Sequence, residues 1–236
     1  MNLARLNLTD ADQLSAIVST PHTLLQRIVR EKESHYSQFF KTKGDGTKRE
    51  INPPKSGLAA IQRSLKNYLQ KRLVWTAAVH GGIPERGIVT NATGHVSKRM
   101  VVNLDISKFF PSTTPAKVES ALVRAGCAAP VATILSELTT FKGGLPQGAS
   151  TSTLLSNLVL EPMDSKYLSL CRRLALTYTR YVDDITISGN ADLNPFHSAF
   201  IEIIQSAGFE VQTTKIRFTP RSEPQVVTGL VVNDRL

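Results

Sequence analysis

The chain has 236 residues, 41% of them hydrophobic, with 28 Lys and Arg against 19 Asp and Glu, a net charge of +9. That length allows one or two domains with a sizeable core, and no run approaches the ~18 consecutive apolar residues of a membrane span. Met1 to Asn7 carry no signal-peptide apolar core, so a cytoplasmic location is expected, and the positive surface attracts polyanions, nucleic acid first among them.

In chain order, Ser19-Thr20-Pro21 reads as a helix start, with Leu24, Leu25, Ile28 and Val29 as its apolar face. Tyr36–Lys43 and Lys48–Asn52 read as two strands around a Gly44-Asp45-Gly46 turn. Leu58, Ile61, Leu65, Leu69 and Leu73 recur at helical spacing and predict an amphipathic helix with Arg63, Lys66 and Lys71 off its stripe. Basic residues crowd this part of the chain: Lys41, Lys43, Lys48, Arg49, Lys55, Arg63, Lys66, Lys71 and Arg72. A glycine-rich loop (Gly81, Gly82, Gly87, Gly94) then leads to a strand over Met100–Asp105. After a mixed stretch, the loop Gly143–Ser150 feeds a helix through Thr153–Leu160. A hairpin follows, with strands over 174–180 and 185–188, then a helix near 195–207 ended by Gly208 and strands near 209–219 and 225–232. Cys127 and Cys171 have no metal-ligand spacing and read as buried reduced thiols, and the sequons at Asn7 and Asn91 read as chance matches.

The chemistry concentrates in Tyr181-Val182-Asp183-Asp184. Strands that stop at adjacent acids present both carboxylates at the tip of a tight hairpin, where their repulsion makes a divalent cation the natural neutraliser. Asp105 ends an apolar strand, and pairing of neighbouring strands could bring it beside them. Such a set of hard oxygen ligands suits two-metal phosphoryl transfer.

At these residues the chain resembles the reverse transcriptases. Asn103–Ser112 looks like their first catalytic motif, Leu145–Ser150 like their nucleotide-contacting loop and Tyr181–Asp184 like their second catalytic motif, in the family's order. The resemblance implies an α+β right-hand polymerase with fingers and palm, an antiparallel palm sheet packed with helices. Residues 1–98 would hold N-terminal helices, the fingers hairpin and an insertion, and 99–236 the palm with an interposed fingers segment at about 113–142. Asp105, Asp183 and Asp184 would be catalytic, ligating two Mg²⁺ ions (Mn²⁺ as a substitute) with help from the Ile106 carbonyl. Phe110 would lie under the sugar and exclude a 2′-hydroxyl, with Phe109 in the core. Gln147 and Gly148 would contact the incoming nucleotide, Lys48 or Arg49 would grip its triphosphate, and Lys215 would lie near the pyrophosphate.

Asn91-Ala-Thr-Gly-His95 and Val227-Thr228-Gly229 look like the two signatures of bacterial retron enzymes. That resemblance implies RNA or primer contacts at Asn91, His95, Val227, Thr228 and Gly229. It also implies a cognate non-coding RNA copied from deoxynucleoside triphosphates into a branched RNA–DNA hybrid, msDNA, starting at a guanosine 2′-hydroxyl. An anti-phage role with a toxic effector protein and no membrane partner would follow. Retron enzymes usually continue into a helical thumb, which this sequence lacks, so the thumb is expected on a separate polypeptide or absent from a shortened form. Two other readings stand: a group II intron-like or defence-associated bacterial reverse transcriptase, and a non-catalytic RNA-binding scaffold of the same fold.

Overall fold

A computed structural model describes residues 6–42, 44 and 46–235; the start of the amino terminus, Lys43 and Asp45 of the expected hairpin turn, and Leu236 lie outside the described residues. Along the chain run α1 (Ala11–Val18), α2 (His22–Arg30), β1 (Phe39–Thr42), β2 (Lys48–Ile51) and α3 (Ser56–Arg72). Next come α4 (Ile88–Thr93), β3 (Met100–Asp105), α5 (Phe109–Ser112), α6 (Pro115–Arg124), α7 (Ala129–Thr139) and α8 (Ser152–Arg173). The chain continues through β4 (Thr177–Tyr181), β5 (Asp184–Gly189), α9 (His197–Ser206), β6 (Arg217–Pro220), β7 (Val226–Val227) and β8 (Leu230–Val231). Among the described residues no helix is long and apolar enough to cross a membrane.

The chain divides into two compact units: the described residues up to Val74 with Phe110–Val159, and Trp75–Phe109 with Leu160 onward. This differs from the expected division at residue 98. Residues 75–98 belong with the strands that follow Leu160, because Val79 bridges Arg180 in β4 and His95 bonds to β4 and β5.

In the first unit, α3 buries Leu58, Ile61, Leu65 and Leu69 as the periodicity predicts and leaves Arg63, Lys71 and Arg72 exposed. Helix α1 packs on α3, and α6 and α2 pack on α7. The mixed stretch is thus helical, and Thr114 caps α6 by accepting from the Lys117 N–H with Pro115 in the first turn. Ser19 corrects one expectation: it closes α1 in the left-handed conformation (φ 51°), and α2 starts only after Pro21.

The second unit is built on an antiparallel sheet of order β4-β5-β3-β6. Alternation divides its side chains between two faces. Val102, Leu104, Tyr178, Arg180, Ile185 and Ile187 share one face, where Tyr178 and Arg180 meet Asp164 of α8. Asp105, Thr179, Asp184, Thr186 and Ser188 share the other, where His95 is seated. The expected strand over 225–232 is instead the hairpin β7–β8, because Thr228 (φ 46°) and Gly229 (φ 85°) both take the left-handed conformation that a tight two-residue turn requires. Cys127 and Cys171 are buried free thiols, pushed up to about 12 by burial.

Candidate active site

The three acids converge through strand register. β3 pairs with β5 so that Asp105 stands directly opposite Asp184, and Asp183 occupies the turn between β4 and β5. Like charges directly across a ladder repel. Loss of hydration, then the charges of Asp183 and Asp105, push the Asp184 carboxyl up to about 7, and Lys215 offsets only part of this. Because Asp184 keeps an exposed edge, the neighbouring carboxylates are the firmer cause. Near neutral pH the Asp184 carboxyl is therefore poised to take up a proton, and a bound cation would relieve the same repulsion.

Lys215 Nζ donates to Asp105 Oδ2 at 2.7 Å, and that bond raises the lysine above its ordinary value. Ile106 faces Val211 in a bridge made by flanking groups, Gln212 N–H to Asp105 O at 2.8 Å and Ser107 N–H to Glu210 O at 2.8 Å. Its own carbonyl therefore turns to the β5 side. Among the described residues no three acidic, His or Cys side chains form a ready metal cage. The donor chemistry nonetheless fits a hard divalent ion: opposed carboxylates, one already holding an ammonium, on a rigid sheet. Asp105, Asp183, Asp184 and the Ile106 carbonyl are the groups that would hold it.

The turn itself is strained. Val182, a β-branched residue, has φ 61°, a conformation normally left to glycine. Gly81 lies against it, since a Cβ there would fall 2.5 Å from both Val182 N and Cγ2. From the other face of the sheet, buried Arg180 donates Nη1–H to the Val182 carbonyl at 2.8 Å. Its Nε and Nη2 grip Asp164 at 2.7 and 2.6 Å, and the Tyr178 hydroxyl donates to the same carboxylate at 2.5 Å. From the sequence Gly81 reads only as part of a glycine-rich loop, Tyr178 and Arg180 only as strand residues, and Asp164 carries no expected role. The available signal was a charged residue inside a strand bound for burial, which demands a partner.

The residues expected to contact the nucleotide belong to the first unit. Leu145 N–H donates to the Phe110 carbonyl at 2.9 Å, so Phe110 and the Gln147 loop are tied together. Phe110 is half-buried, whereas Phe109 is core and packs against Phe209 with centroids 5.7 Å apart. The Gln147 carbonyl accepts from Asn52 N–H at 2.7 Å, fixing the loop to the end of β2. Gly148, at φ 106°, leaves no room for a side chain because a Cβ would lie 2.9 Å from Ile51 Cγ2. Lys48 and Arg49 are exposed on β2, and Glu50 beside them is held by Lys142 at 2.7 Å.

The expected RNA or primer set divides. Asn91, His95 and Val227 are 0% exposed, so their side chains are corrected from RNA contacts to interior packing. His95 Nδ1 lies 2.7 Å from Ser188 Oγ and Nε2 2.8 Å from Thr179 Oγ1, and burial pushes its ring down to about 3. Val227 packs with Ala92, Val101 and Val232, and Asn91 Nδ2 lies 3.5 Å from Thr228 Oγ1. The two signature segments therefore build one another. Thr228 is half-buried and Gly229 exposed at the turn they create.

The reverse transcriptase (RNA-dependent DNA polymerase) family matches residues 41–231. The chain is 37% identical over 227 residues to the retron Mx65 reverse transcriptase of Myxococcus xanthus, covering 88% of this chain and 53% of the relative. It is 30% identical over 188 residues to the retron Ec86 reverse transcriptase of Escherichia coli, covering 78% and 58%. It thus spans about half the length of the curated relatives it matches. A telomerase from Candida albicans superposes with a TM-score of 0.56 at 11% identity, covering 90% of this chain and 49% of that one, a likeness of fold. The ordered motifs, the opposed acids on an antiparallel sheet and the family match together place this chain in the reverse transcriptase family.

Proposed function

We propose that the protein is a retron reverse transcriptase that extends a nucleic-acid primer with deoxynucleotides on an RNA template. The observation that carries this reading is the Asp105–Asp184 pair with Asp183 in the adjoining turn and Lys215 bonded to Asp105. Bound Mg²⁺ would supply activation of the attacking hydroxyl and charge neutralisation at the phosphates. Asp105, Asp183 and Asp184 would hold the cation, with help from the Ile106 carbonyl. Lys215 can turn from Asp105 towards the leaving pyrophosphate as a charge partner and proton donor. Phe110 bars the 2′-hydroxyl, Gly148 lets backbone approach the nucleotide, Gln147 orients it, and Lys48 and Arg49 meet the triphosphate.

Within this reading the template is a structured non-coding RNA, the product is branched msDNA, and the cytoplasmic complex serves phage defence with an effector protein. Similarity to the retron Mx65 and Ec86 enzymes supports it. The test is extension of an RNA-templated primer by the purified chain in Mg²⁺, with Asp183→Asn as control. Template-dependent DNA synthesis lost in the variant is expected. Absence of synthesis by the parent on its own non-coding RNA would favour the scaffold reading.

A further inference from the structure

Arg180 belongs to a continuous buried network. The Phe200 carbonyl of α9 accepts from Tyr167 OH at 2.5 Å, and Tyr167 stacks on Tyr178 with centroids 4.8 Å apart. The Tyr178 hydroxyl and the Arg180 guanidinium converge on Asp164, and Arg180 reaches on to Val182 O. Arg180 and Asp164 side chains are 0% and 2% exposed. A buried ion pair is weak evidence for net stability, because desolvating both charges offsets their attraction. What this pair supplies is a third donor edge held at a fixed place.

That edge meets the one peptide group on which the catalytic turn depends. Val182 C=O and Asp183 N–H belong to the same planar unit, so fixing the carbonyl fixes the plane from which the Asp183 side chain departs. The plane is otherwise under strain, with Val182 at φ 61°. Gly81 lies against Val182 N and Cγ2, and Arg180 is itself anchored by its N–H to Ala78 O at 2.8 Å and by His80 N–H to its carbonyl at 2.9 Å.

We infer that Arg180, locked by Asp164 and Tyr178, is a positioning residue that holds the Val182–Asp183 peptide in its strained, catalytically competent orientation. This rests on the polymerase reading for its consequence, though not for its geometry. The network touches no reacting atom, and it acts through the turn alone.

The test replaces the network without leaving an orphaned charge or hydroxyl: Asp164→Leu, Tyr178→Phe and Arg180→Met together. Amide hydrogen exchange across Tyr181–Asp184 is measured on the metal-free protein, and single-nucleotide addition is measured with Mg²⁺. Protection of the turn is expected to fall at least about tenfold. The kcat for addition is expected to fall by about tenfold or more, with KM for the nucleotide within about twofold, since binding groups are untouched. Arg180→Lys, which keeps a charge for Asp164 but cannot also span to Val182 O, is expected to show the same pattern and serves should the triple variant not fold. Either folded variant retaining both turn protection and kcat would overturn the inference. If the parent extends no primer, the polymerase reading fails while the exchange measurement still decides the positioning role.

Discussion

Asp105 and Asp184 face each other across β3 and β5, and Lys215 bonds to Asp105. The sheet holds two carboxylates where their repulsion works against the fold, and a bound divalent ion would relieve it. Asp184→Asn should therefore stabilise the metal-free protein at pH 8 by about 1–2 kcal/mol after discounting for the exposed edge of the residue, seen as a higher melting temperature. The same variant should lose at least about a hundredfold in primer extension. Added Mg²⁺ should stabilise the parent much more than the variant in a thermal melt. A variant that gains no stability and keeps its activity would refute the opposed-acid account.

His95 sets a pH dependence. Its ring is buried neutral between two hydroxyls and pushed down to about 3, whereas in the unfolded chain it titrates near the ordinary value of 6.5. The unfolded state therefore takes up a proton first as pH falls. The stabilisation is complete above about pH 6.5 and is lost progressively towards pH 3, amounting to about 4 kcal/mol at the acid end. Urea midpoints at pH 7, 5 and 4 should show the loss, and His95→Gln should flatten its slope while lowering stability at pH 7.

Local features of the chain carried much of this structure in plain sight. Leu58, Ile61, Leu65 and Leu69 mark one face of α3, and the acids of Asp183-Asp184 mark a hairpin, because both signals are periodic and short-range. Register is different. Nothing near Asp105 says that Asp184 will stand opposite it, and nothing near Arg180 names Asp164, since both pairings depend on how strands and helices assemble. Ser19 precedes a proline, the mark of a helix start, yet it ends α1, because the same short polar residue suits either end of a helix. The stretch near 225–232 reads as a single strand, and only the left-handed φ at Thr228 and Gly229 turns it back on itself. The retron signatures were legible as motifs, but not that Asn91 and His95 are interior while the turn beside them is exposed.

Gly81→Ala should disturb catalysis from a distance. The added methyl would lie 2.5 Å from Val182 N, a backbone atom that can yield only if the turn moves. Primer extension is expected to fall at least about tenfold through kcat, whereas Gly87→Ala, with open space around its Cβ position, should keep full activity. Equal activity in both variants would show that the turn tolerates displacement.

Phe110→Ala should admit ribonucleotides. The ring is half-buried and its backbone is bonded to the loop that carries Gln147, so its removal opens space at the loop without unravelling it. Competition between ribo- and deoxynucleotide incorporation should shift at least about tenfold towards the ribonucleotide, while deoxynucleotide kcat changes much less. An unchanged ratio would return Phe110 to the core beside Phe109.

The exposed cations of β2 can be told apart by chemistry. Lys48 lies opposite Thr42 and Arg49 opposite Lys41, so the two side chains leave the ribbon on opposite faces and only one can lead in gripping a triphosphate. Loss of the leading cation should raise KM for the nucleotide by about tenfold with a smaller change in kcat, since the charge contributes to binding before the chemical step. Lys48→Ala and Arg49→Ala will identify it. If Arg49 leads, Arg49→Lys should recover only part of the loss, because an ammonium supplies charge without the planar fork. Glu50→Gln removes the Lys142 ion pair on the same ribbon and serves as the control. A KM that rises equally in all three alanine and glutamine variants would mean that the ribbon acts through its shape, and that neither cation meets the nucleotide directly.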